Sequence, residues 1–273
     1  MGSRINDVLK RWPKGTVATA SWLKTCGVYR QLVRRYVASG WLQPLGHGAY
    51  LRAGDAADWL GGLYALQKQL GLTVYAGATT SLGLKGLGHV LALGHNTEVR
   101  LFSEHRERLP SWFIRHAWGV RVSYDRQRLF EDSDPMDFAE VQHGEFSVRV
   151  SAPERAILET IHDATTNAAV DSALELMRGL TTLRPRVLQW LLEGCRSIKV
   201  KRFFLWAAEA SGHEWFNRLE AARVDLGKGK RLFYRGGRFD RKYRITVPRD
   251  EAHACPGLHA AGGVVGAMPS RDR

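Results

Sequence analysis

Between Gly27 and Gly40 the chain carries a segment whose two faces demand opposite environments. At 100° per residue, Leu32, Tyr36, Tyr29, Val33 and Val37 fall on one arc, while Arg30, Gln31, Arg34 and Arg35 fall on the other. A helix over 28–39 must therefore bury one side in a small core and leave three guanidiniums and an amide outside. The flanking sequence supplies that core. Ile5, Val8, Leu9 and Trp12 have the spacing of a single helical stripe, so residues 4–12 read as a first helix ended by Pro13 and Gly15. Thr19 or Ser21 can cap a second helix carrying Trp22 and Leu23, and Gly27 supplies the positive φ that a tight helix-to-helix turn needs. After Gly40, the stretches 41–45 and 49–52 read as two short strands around Gly46-His47-Gly48. Three short helices and a hairpin in that order predict a winged helix-turn-helix over residues 1–55.

Charge separates this module from the rest of the chain. Residues 1–52 hold nine Lys and Arg against the single acid Asp7, residues 53–195 are mildly acidic, and residues 196–249 hold fifteen bases against five acids. The formal total is +13. Two basic blocks on either side of a near-neutral body point to a polyanionic partner. Arginine can pair with guanine O6 and N7, glutamine with adenine N6 and N7, and a helix fits the major groove, so double-stranded DNA is the expected partner. Arg30, Gln31, Arg34 and Arg35 are the expected base readers. Thr19, Ser21, Lys24 and Tyr29 are expected to hold phosphates, and His47 and Arg52 to reach the backbone or minor groove from the wing. The alternative for a basic three-helix unit is protein contact; a segment with Asp7 as its one acid argues against it.

Residues 56–248 read as a second, α+β domain with no long linker before it. A helix is expected over 56–71, a small-residue helix near 75–82, and strands at 98–102, 120–124 and 146–150. Further helices begin at Pro153 and cover 168–180, 185–195 and 199–211, followed by two strands near 232–234 and 243–247. The tail, 249–273, is rich in Gly and Ala and is expected to be disordered. Within the second basic block, Lys228, Lys230 and Arg231 alternate with glycines in a loop that resembles a phosphate contact, and Lys199, Lys201 and Arg202 open a helix beside it. These six are candidates for a second DNA-contacting patch; the alternative is a solvated hairpin.

Catalytic motifs are missing. There is no G-x-S-x-G, P-loop, H-E-x-x-H or kinase set, so neither catalysis nor a cofactor is expected. The GxxGxG run at 83–88 lacks the strand and acid of a dinucleotide site. Asp132, Asp134 and Asp137 are read as a turn, and His253, Cys255 and His259 are too loosely placed for a metal site. Cys26 and Cys195 are expected to be small buried residues. No apolar run is long enough to span a membrane and the N-terminus lacks a signal core, which predicts a soluble cytoplasmic protein.

Three further segments complete a pattern: Ser151-Ala152-Pro153-Glu154-Arg155-Ala156-Ile157-Leu158-Glu159, Val200 to Glu209, and Asp225-Leu226-Gly227-Lys228-Gly229-Lys230-Arg231 followed by Tyr243 to Pro248. With the winged helix they resemble the AbiEi antitoxins of type IV toxin–antitoxin systems, over residues 1 to about 248. The resemblance implies a repressor that binds inverted repeats in its own promoter. It also implies a second domain that counters a nucleotidyltransferase-like toxin without a stable complex. The alternative is a free-standing winged-helix transcription factor whose second domain senses a ligand or dimerises; a neighbouring nucleotidyltransferase gene would tell the two apart.

Overall fold

The computed structural model describes residues 4–87, 98–105, 107–126 and 128–249. The expectations for the tail beyond Arg249, including His253, Cys255 and His259, and for Gly88 lie outside the described residues.

The winged helix forms as its pattern requires. Helix α1 (Arg4–Arg11), strand β1 (Ala18–Thr19), helix α2 (Ala20–Thr25), helix α3 (Arg30–Ala38) and the wing strands β2 (Leu42–Gly46) and β3 (Ala49–Arg52) follow in order. The strands join antiparallel as β1-β3-β2. Val8, Trp12, Leu23, Val28, Val33 and Leu42 make its core. Thr19, not Ser21, caps α2, its hydroxyl accepting from the Trp22 amide at 3.2 Å, and Gly27 takes φ +78° in the turn. Tyr29 leaves the expected core arc: it stands just before α3 with 59% of its surface exposed.

Helix α4 (Trp59–Tyr64), capped by Asp58, runs on into a π-helical turn over Ala65–Gln69. The turn lets two glutamines serve different partners. Gln69 accepts from the Thr19 amide and donates to the Val17 carbonyl, both at 2.8 Å. Gln67 donates to the carbonyls of Val74 and Arg149 and accepts from the Arg149 amide. The winged helix is thus fastened to the sheet behind it, and Val17 and Ala49 belong to the same apolar cluster as sheet residues Val74, Leu101 and Val148.

That sheet is built from β4 (Val74–Ala76), β5 (Glu98–Ser103), β6 (Arg121–Asp125), β7 (Phe138–His143) and β8 (Phe146–Ser151), in the order β6-β5-β4-β8-β7. β4 pairs antiparallel with β5 and parallel with β8, and β5 pairs parallel with β6. The short β4 and the polar edge β7 escape the sequence reading because neither shows a full apolar alternation. Helices α5 (Ala78–Leu84), α6 (Ser111–Arg115), α7 (Pro153–Asp163), α8 (Asn167–Gly179), α9 (Pro185–Gly194) and α10 (Ile198–Ala210) complete the helical part. α7 to α10 share one large core with Phe233, Tyr243, Ile245 and Val247. The expected strand at 232–234 does not form. The closing ladder is β9 (Arg238–Asp240) with β10 (Ile245–Val247), because Leu232 is exposed and only Arg231 bridges to Ile245.

The Pro153–Glu159 motif is structural. Arg155, buried, donates from Nε to Glu159 Oε1 at 2.9 Å and from Nη2 to the Tyr75 hydroxyl at 2.8 Å. Asp137 pairs with its Nη1 at 3.3 Å. Glu159 also accepts from Ser151 and from the amide of Ala78, which sits at φ +49°. The helix is thereby bolted to the ends of β4 and β8. Asp134, as expected of a turn, caps a 3-10 turn over Pro135–Asp137. Cys195 is buried, which raises its thiol pKa to about 11, while Cys26 is only half-buried.

Candidate nucleic-acid interface

The site is α3 and its flanking elements. Val33 inserts into the small core and Leu32, Tyr36 and Val37 pack against it, so helical geometry forces Arg30, Gln31, Arg34 and Arg35 outward. All four are exposed, and among the described residues none has a hydrogen-bond or ion-pair partner for its side chain. Four unneutralised polar heads on one face of a nine-residue helix have the shape and donor set of a major-groove reader. Lys24 and Ser21 are exposed on α2, Tyr29 stands where α3 begins, and His47 is exposed at the wing tip.

Two of the expected contacts are spent inside the fold. The Thr19 side chain is buried as the α2 cap and hydrogen-bonds Ser21 at 3.0 Å, leaving no group for a phosphate. Arg52 turns inward: its guanidinium donates to the carbonyls of Leu9 and Trp12 and lies 5.7 Å from the Trp12 ring centre. It ties the wing to the end of α1, which carries the partial negative charge of a helix C-terminus.

The second basic block divides the same way. Lys201 is 4% exposed, its ammonium 3.4 Å from the Glu193 carbonyl, and Arg202 is 1% exposed. Both sit on the buried side of α10 and cannot meet DNA. Arg202 instead organises the loop after it, donating to the carbonyls of Leu226 and Gly229 at 2.7 Å and to those of Gly227 and Arg244 at 3.0 Å. Gly227 at φ +60° and Gly229 at φ +76° let the loop turn these carbonyls inward. Lys228, Lys230 and Arg231 are left exposed on the outside. Lys199 rests over the Phe233 ring at 4.5 Å and Lys230 over Phe239 at 5.3 Å. Sequence reasoning saw the glycine–lysine alternation but not the buried guanidinium beneath it. An arginine inside the apolar run Val200 to Ala208 was the available signal, since such a residue is rarely buried without partners.

Among the described residues no group of three or more His, Cys, Asp or Glu could hold a metal ion, and no helix is long and apolar enough to cross a membrane.

A winged helix hydrogen-bonded and packed onto an α+β body, with its third helix bare and cationic, defines the class of two-part winged-helix regulators. Two family models divide the chain between them. The AbiEi antitoxin N-terminal domain of transcriptional regulators matches residues 1–93, and the transcriptional regulator, AbiEi antitoxin of type IV toxin–antitoxin systems, matches residues 96–248. The chain belongs to that family. Its fold is similar to the crystal structure of the RV2827C protein from Mycobacterium tuberculosis, with a TM-score of 0.57 at 14% identity over 88% of each chain. No curated protein matches the chain by sequence.

Proposed function

We propose that this chain is a transcriptional autorepressor that binds inverted repeats in its own promoter, and that its second domain supplies the antitoxin activity against a nucleotidyltransferase-like toxin without a stable complex. The carrying observation is the row of exposed, unpartnered Arg30, Gln31, Arg34 and Arg35 on a helix whose other face is locked in a core. Those four read bases; Ser21, Lys24 and Tyr29 hold phosphates, and His47 reaches the duplex from the wing. Lys228, Lys230 and Arg231, with Lys199, form a second grip on the phosphate backbone. Residues 1–55 act as the reading domain and 56–248 as the antitoxin domain. The chain works by binding, and no catalytic step is assigned to it.

The test is fluorescence anisotropy of the full chain with the fragment upstream of its own gene and with a scrambled duplex, across a salt series. Tighter binding to the upstream fragment, retained as salt rises, is the expected result. Equal and steeply salt-dependent binding to both duplexes would reduce the protein to a nonspecific basic binder.

A further inference from the structure

On the helical part, among the described residues, one tryptophan is left uncovered. Trp190 on α9 is 46% exposed although its neighbours Leu188, Leu191 and Leu192 are fully buried in the core. The indole forms a ridge between two depressions. On one side lies an open groove of about 560 Å³, between α9 and the 3-10 turns Glu214–Arg218 and Ala221–Arg223, lined by Arg186, Gln189, Arg218 and Arg223 and by two acids, Glu193 and Glu220. On the other lies a depression of about 240 Å³ lined by Glu131, Asp132 and Glu193.

The groove is braced from within. Gln189 donates to the Glu220 carbonyl at 3.3 Å and accepts from its amide at 3.0 Å. Arg223 meets Glu193 through Nε at 3.0 Å and Nη2 at 3.2 Å, and Glu220 at 3.5 Å. Those contacts occupy both acids of the groove. Arg186, one helical turn before Trp190, and Arg218 are exposed, with no side-chain partner among the described residues. The groove therefore offers one flat aromatic face and two unneutralised guanidiniums.

We infer that this groove binds a nucleotide, its base stacked on Trp190 and its phosphates held by Arg186 and Arg218. Base–aromatic stacking tolerates any base, and guanidinium forks match phosphate oxygens. The groove's volume lies within the ordinary range for small-ligand sites. Glu131 and Asp132 beyond the indole repel a phosphate chain, so a strand does not run across the ridge. The site takes a free nucleotide or the terminal nucleotide of a single strand.

The full chain is titrated with a nucleoside triphosphate, a 5′-phosphorylated single-stranded oligonucleotide and inorganic triphosphate, with tryptophan fluorescence and calorimetry as readouts. Saturable binding of either nucleotide probe, at least tenfold weaker for Trp190→Ala and for Arg186→Ser/Arg218→Ser, is expected. The probe that binds more tightly identifies the source. These surface substitutions leave duplex binding by α3 unchanged, and circular dichroism and duplex anisotropy confirm that each variant is folded. Triphosphate binding as tight as either nucleotide probe would overturn the inference, as would no saturable binding. Self-association that depends on Trp190, seen by sedimentation, would overturn it too, making the face an interface between copies.

Discussion

The Arg202 guanidinium stands 2.7 Å from the carbonyl oxygen of Gly229, and the same side chain holds three further carbonyls at 2.7–3.0 Å. A buried charge is bearable here because four backbone dipoles surround it; burial, with Arg231 and Arg244 nearby, still lowers its pKa. A lysine carries its donors on a single nitrogen and cannot span the four oxygens. Arg202→Lys is expected to cost about 2–3 kcal/mol of stability, from carbonyls left unpaired. Urea unfolding checks it, and an unchanged midpoint would remove Arg202 from its role. If the loop grips DNA, the variant also loses part of its salt dependence.

Arg34→Ala and Lys230→Ala separate reading from gripping. Removing Arg34 is expected to reduce discrimination between the promoter fragment and random DNA by about 1–3 kcal/mol. Removing Lys230 weakens binding to all duplexes alike and lowers the salt slope by about one. Anisotropy against both duplexes distinguishes them. Equal loss on the two DNAs for Arg34→Ala would count against α3 as the reading helix.

The winged helix was legible because every signal in it is local: stripe spacing, Gly27, the Gly40 stop and a hairpin of matched strands all lie within 55 residues. The α+β domain was legible in its helices for the same reason. Long-range pairing was not. β4 is three residues long and owes its place to β5 and β8, both distant in sequence. Arg52 looks like any other arginine of a basic segment, and Arg202 is marked only by the apolar run around it; the carbonyls of Trp12 and Gly229 that hold them inside are fixed by tertiary structure alone.

Gly61 tests how firmly the two parts are joined. A Cβ built there would lie 1.9 Å from the Gly15 carbonyl oxygen, a backbone atom that cannot swing aside. Gly61→Ala must therefore push α4 off the turn after α1, an overpacking cost of at least about 1–3 kcal/mol. Thermal unfolding is expected to show a lower Tm. The exposed side chains of α3, proposed to read bases, are untouched, so the ratio of promoter to scrambled-DNA affinity should persist. A variant as stable as the parent would mean that the joint yields.

The buried carboxylate of Glu154 gives a pH dependence of definite sign. Burial raises its pKa, but hydrogen bonds from the Arg184 amide, Nε and Nη2, at 2.8, 3.0 and 2.8 Å, outweigh burial and hold it below its ordinary 4.5. A group with a depressed folded pKa stabilises the fold above its unfolded pKa, and that stability is lost as pH falls through the folded value. Asp137 works oppositely: burial raises its pKa from 3.8, so its ionised form costs stability at neutral pH and the cost is relieved by acid. Glu154→Gln keeps an acceptor for the Arg184 amide but not the charge. Because Arg184 is half-exposed, the loss at pH 7 should be modest, about 1 kcal/mol. In urea melts between pH 7 and pH 3, the gap between parent and variant should narrow below about pH 4.5 as the parent's carboxylate protonates. A gap that stays constant over that range would mean that the Glu154 carboxylate does not contribute through its charge.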